Sequence, residues 1–142
     1  MGRGVLIDYK NWADANGKKY NPFTDHRITI EEIETIAKEE GVTFKQGDII
    51  IIRSGFTEAM TGISDEEQIQ NLSSQRVCGV EGTPESAKWF WNKHFAAVSG
   101  DALTFEVGPP IVDGKEGTIT QLGTSHQPRI SFMTTSKLIR YP

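Results

Sequence analysis

The 142-residue sequence predicts an α/β domain with a mixed, partly parallel sheet and two main helices. Three observations carry that prediction. Short continuous apolar runs, one of them four isoleucines, have the length and branching of buried strands. Two segments, after Thr29 and after Thr83, carry helix-start signals followed by apolar residues at helical spacing. The two kinds of segment alternate, strand, helix, strand, helix, strand, which is the order that builds parallel strands joined by crossover helices.

Residues 4–9 read as a short buried strand around Val5, Leu6 and Ile7. Residues 10–23 read as a loop, punctuated by Asn16-Gly17 and Asn21-Pro22. Thr29 then caps a helix, and Glu32 three residues later completes a capping box. Glu31, Glu32 and Glu34 sit near the positive end of its dipole. Ile30, Ile33, Ile36 and Ala37 share one face, the acidic run 31–40 forms the solvated one, and Gly41 stops the helix. Ile49 to Ile52 reads as a fully buried strand, central in its sheet, ended by Arg53-Ser54-Gly55. Residues 56–63 read as a loop. Ser64 caps a short helix, with Glu67 at the third position, reaching about Leu72. Thr83 begins the second strong helix, with Pro84 at its first position and Ala87, Phe90, Trp91 and His94 on one face. Residues 96–98 read as another buried strand, and 103–107 as an extended piece broken by Pro109-Pro110.

Composition narrows the function classes. With 37% hydrophobic and 24% charged residues the chain is globular, far from the disordered class. A net charge of −4 disfavours non-specific binding to nucleic acid or an acidic membrane. The single cysteine, Cys78, supports no disulfide framework and favours a reducing compartment. Asp8 ends the first apolar run after three residues, too short for a signal peptide or a membrane span. A soluble, cytoplasmic protein is expected. Charge also divides the chain. After Leu122 come Arg129, Lys137 and Arg140 and no acid, so residues 123–142 form a divergent basic tail after a domain at 1–122.

Candidate chemistry is sparse. His26, His94 and His126 have no partner at metal-ligand spacing. His94 reads as a helix residue and His26 as a loop residue. Cys78, in Arg76-Val77-Cys78-Gly79-Val80, has no nucleophile signature and reads as a buried structural thiol. Residues 79–83 lead into a helix N-terminus without either phosphate-binding glycine pattern, so turn and cap use is expected. Trp12 and Trp91 are candidates for contact with a substrate or partner, against the simpler reading of core packing.

Laid out in order, Gly2-Arg3-Gly4-Val5-Leu6-Ile7-Asp8, Ile28-Thr29-Ile30-Glu31-Glu32-Ile33 and Gly47-Asp48-Ile49-Ile50-Ile51-Ile52-Arg53-Ser54-Gly55 resemble the cyclase family that includes kynurenine formamidase. Gly82-Thr83-Pro84-Glu85-Ser86-Ala87-Lys88-Trp89-Phe90 and Ala96-Ala97-Val98-Ser99-Gly100-Asp101 fit the same pattern, closest to fungal cyclase-like members. The resemblance runs from Gly2 to Leu122. It implies a swivelling β/β/α fold, homo-oligomers, and metal-dependent hydrolysis of amide or lactone bonds with zinc or manganese. It also implies a metal motif of the form H-x-G-T-H-x-D upstream of the first strand, where this sequence has only Met1, and a later histidine and glutamate near the point where the pattern ends. Asp101, Glu106 and His126 are the remaining candidate relics of a site. The resemblance therefore leads to a chain truncated at its start and catalytically incomplete alone, holding no metal by itself. Unpaired sheet edges should then recruit a second copy or a partner chain. The alternative is a non-catalytic binding protein that pairs with itself or with a full-length relative.

Overall fold

A computed structural model describes residues 2–109, and residues 111–112 and 115–116 as backbone. The elements run β1 (Gly4–Ile7), α1 (Tyr9–Ala15), β2 (Arg27–Ile28), α2 (Ile30–Glu39), β3 (Ile49–Ile52), α3 (Phe56–Thr61), α4 (Asp65–Ser73), β4 (Gly79–Val80), α5 (Pro84–Lys93), β5 (Ala97–Gly100), β6 (Ile111–Val112) and β7 (Lys115–Glu116). β1, β3 and β5 form a parallel sheet in the order β1-β3-β5, with Ile50 between Val5 and Val98. β2 and β4 form a separate parallel pair, and β6 and β7 an antiparallel one. The α/β class holds, with α2 and α5 as the two main helices expected and α1, α3 and α4 beside them among the described residues.

The four isoleucines take the central position, as their branching predicts. Full burial does not follow. The pleat sends alternate side chains to opposite faces. Ile50 and Ile52 join Val5 and Ile7 on the buried face, while Leu6 (48% exposed) and Ile51 (38%), which are register partners, stand on an open one.

The buried face packs on α2. Its predicted capping box is present: Glu32 N–H donates to Thr29 Oγ1 (3.3 Å) and Thr29 N–H to Glu32 Oε2 (2.9 Å). Ile33, Ile36 and Ala37 are buried with Ile7, Ile50 and Ile52 in one core. Gly41, at φ +68, adopts the left-handed conformation that ends the helix. α4 and α5 also start where their caps predict, at Ser64 and Thr83. The buried stripe of α5 differs from the expected one. Ser86 and Phe90 point inward, Trp89 packs between Phe44 and Phe95, Trp91 is exposed, and His94 is the left-handed C-cap.

Two expected loops are helical. α1 replaces the end of the first strand and the start of the following loop. Asp8 caps it by accepting from Asn11 N–H, and Tyr9, Trp12 and Ala13 sit at helical spacing against the core. So short a helix is marginal alone; Lys10 N–H donating to Arg53 O (3.1 Å) ties it to the end of β3. α3 turns off β3 at Gly55 and buries Phe56. The two-residue strands β2 and β4 are too short to leave a periodic signal.

Candidate functional site

In open parallel sheets, functional groups collect beyond the carboxyl ends of the strands. Here the residues leaving β1, β3 and β5 are Asp8-Tyr9, Arg53-Ser54 and Asp101. Asp101 is the hub. Its Oδ1 accepts from both the backbone N–H (2.6 Å) and the hydroxyl (2.7 Å) of Ser54, and its carbonyl accepts from Thr57 Oγ1 (2.9 Å). Its second carboxyl oxygen takes no hydrogen bond from any described residue. Arg53 donates to both oxygens of Asp8 (2.7 and 3.0 Å) and to Glu58 (2.5 Å), which fixes β1 to the start of α3.

A second group folds over this end from the loop between α1 and β2. Tyr20 Oη donates to Ser54 O (2.5 Å), and its ring stacks on His26 with centroids 4.6 Å apart. His26 Nε2 lies 2.7 Å from Tyr9 Oη, which also reaches Glu32 Oε1 at 3.4 Å, and Glu32 pairs with Lys18. The loop is held in place by Cys78 N–H donating to Pro22 O (3.0 Å) and Gly79 N–H to His26 O (3.2 Å). Burial, with Lys18 nearby, lowers the pKa of His26, which keeps its imidazole neutral at pH 7. Burial raises both tyrosine hydroxyls, so they act as hydrogen-bonding groups and not as bases. It pushes the Cys78 thiol up to about 11, so the thiol stays protonated and serves packing, as its sequence context suggests.

The opposite end of the sheet is structural. Asp48, buried before β3, receives Arg3 Nε (2.9 Å), Arg3 Nη2 (2.6 Å) and Lys45 N–H (2.7 Å), which locks the starts of β1 and β3 together. The Arg3 guanidinium holds that carboxyl down at about 2.

Of the candidates from the sequence, Asp101 sits at the centre of the cluster. Glu106 lies apart from it, beside Gly82 on a segment bridged to Val80 of β4. His126 and the basic tail at 123–142 fall outside the described residues. Trp12 packs on Tyr9 (5.9 Å) and donates its indole N–H to Glu39 (2.9 Å), a contact within the fold. Trp91 is half exposed on α5. Sequence reasoning passed over Tyr9, Tyr20, Ser54 and Arg53, and read His26 only as a loop residue. Ser54 and Arg53 had a signal, their place directly after the central strand. Tyr20 and His26 had none, because their loop reaches the site only through tertiary contacts.

Among the described residues no three of His, Cys, Asp and Glu converge as a metal site. Tyr9 engages one ring nitrogen of His26, and Ser54 one carboxyl oxygen of Asp101. These residues do not fit a zinc or manganese ion by themselves, since such a site needs about three protein ligands. The cluster can instead orient a polar ligand through the open oxygen of Asp101 and the imidazole of His26. Among the described residues no helix is long and apolar enough to cross a membrane.

Comparison with known proteins agrees with this frame. The family model "Cyclase" matches residues 1–107. A crystal structure of a novel cyclase superposes with a TM-score of 0.65 over 79% of this chain at 21% identity, a likeness of fold. The chain spans 35% of the length of that structure. No curated protein matches the chain.

Proposed function

The chain belongs to the Cyclase family, and from that premise we propose that it is the α/β core of a formamidase-like hydrolase of amide or lactone bonds, nearest the fungal branch, whose active site a partner chain completes. The observation that carries this reading is the convergence of Asp101, Ser54, Tyr20, His26 and Arg53 at the carboxyl ends of β1, β3 and β5. In this reading Asp101, held in one orientation by Ser54, offers its open oxygen to the N–H of an amide substrate. Neutral His26, held by Tyr9, accepts or delivers a proton. A zinc or manganese ion, which the described residues do not fit by themselves, would need its ligands from the partner chain. The protein works in the cytoplasm as a homo-oligomer or with a longer relative.

The partner would use β1. Among the described residues it is an edge strand paired only with β3, and the open face carrying Leu6 and Ile51 begins there. The same edge favours a second reading, a non-catalytic protein that pairs with itself or with a full-length relative. Hydrolysis of an N-formyl aromatic amine and of a lactone, measured with added zinc or manganese alongside light scattering of the same samples, separates the two. Turnover by an associated species, abolished by Asp101→Ala, supports the enzyme. Association without metal uptake or turnover removes the enzyme and leaves the second reading.

A further inference from the structure

Residues 105–108 are held along β4 by four backbone hydrogen bonds. Val80 N–H donates to Phe105 O (2.9 Å), Val107 N–H to Val80 O (2.9 Å), Val77 N–H to Gly108 O (3.2 Å) and Gly108 N–H to Val77 O (3.0 Å). Gly79 permits this approach, since a Cβ there would stand 2.6 Å from the backbone carbonyl carbon of Glu106. Phe105 and Val107, on either side of Glu106, are buried, and the Phe105 ring meets Phe90 edge-on at 5.4 Å. Glu106 itself is part-exposed and projects from the opposite side of the segment.

Its carboxyl lies against Gly82, where even a Cβ would come within 3.5 Å of Oε2. Among the described residues no donor or cation reaches that carboxyl. The charged and titratable groups on the neighbouring elements are turned elsewhere. Glu81 accepts from Ile30 N–H, Arg76 pairs with Asp25, and His26 points to Tyr9. A carboxylate so placed has neither full hydration nor a partner, and its charged form is disfavoured for as long as the segment stays docked.

We propose that Glu106 is the pin of a proton-operated latch: with its carboxyl protonated, residues 105–108 stay docked on β4, and ionisation releases them. Burial supports this by holding the carboxyl at about 7 instead of its ordinary 4.5. A carboxyl raised in the docked state stabilises docking fully below its ordinary value. That contribution is lost as pH rises through about 7. If the carboxyl is fully hydrated once the segment lifts, the opening equilibrium grows about tenfold between roughly pH 6 and roughly pH 8. The latch does not depend on what the Asp101 cluster binds.

Amide hydrogen exchange of Val107 and Gly108, corrected for intrinsic rates, reads the docking directly. Wild-type protection should fall about tenfold over that pH range. Glu106→Gln should hold it level, and His26→Gln should leave the wild-type fall in place. A carbon-13 titration of the Glu106 carboxyl gives a measurement that needs no variant. A flat wild-type profile, the same fall in Glu106→Gln, or a carboxyl titrating at its ordinary value overturns the latch.

Discussion

Replacing Ser54 by alanine should loosen the hub of the site without opening a cavity. The side chain is 3% exposed, and its hydroxyl donates to Asp101 Oδ1 at 2.7 Å. A hydrogen bond to a carboxylate contributes about 1.5–3 kcal/mol, and only an oxygen is removed, so the packing loss is small. The backbone N–H of Ser54 still donates to the same oxygen at 2.6 Å and keeps part of the arrangement. A loss of about 2 kcal/mol follows, which for a domain of this size lowers the melting temperature by roughly 4–8 °C. Urea denaturation of Ser54→Ala, Asp101→Ala and the double variant closes a thermodynamic cycle. The coupling between the two positions should be about 1.5–3 kcal/mol. A coupling under about 0.5 kcal/mol, the usual error between independent sites, would refute the claim that Ser54 is what holds Asp101.

Two further perturbations test the frame around the site. Arg3 holds the Asp48 carboxyl at about 2, so the stabilisation from that pair is complete above the ordinary 3.8 and is lost as pH falls through about 2. Melting curves should therefore show acid destabilisation across that window in the wild type and a weaker dependence in Asp48→Asn; equal slopes would place the acid sensitivity elsewhere. Gly55→Ala places a side chain at φ +78 with its Cβ 2.8 Å from Lys10 Cδ. The left-handed backbone costs about 1–2 kcal/mol while the flexible lysine moves aside, so denaturation should show a loss of that size, and no loss would mean α3 does not need this turn.

The sequence made most of the scaffold legible because its signals are local. Thr29 with Glu32, Ser64 with Glu67 and Thr83 with Pro84 each announce a helix start by groups within one turn. The four isoleucines announce a central strand by branching alone. α1 and α3 were missed because tertiary contacts hold them, Lys10 on Arg53 for one and buried Phe56 for the other. The open face at Leu6 and Ile51 was missed for a different reason. A continuous apolar run looks the same whether one face of its strand is covered or both are. Asp101 was named through the family resemblance, whereas Tyr20 and His26 join its cluster only through the fold.

The state of that open face in solution tests the central claim most directly. A parallel sheet is normally covered on both sides, and among the described residues β1 has an unpaired edge, with Leu6 and its β3 neighbour Ile51 exposed beside it. Light scattering at micromolar concentration should find the wild-type chain associated. A Leu6→Asp, Ile51→Asp variant should be monomeric with an unchanged circular dichroism spectrum. A wild-type chain that stays strictly monomeric across that range, alone and with a longer family relative, would contradict the account.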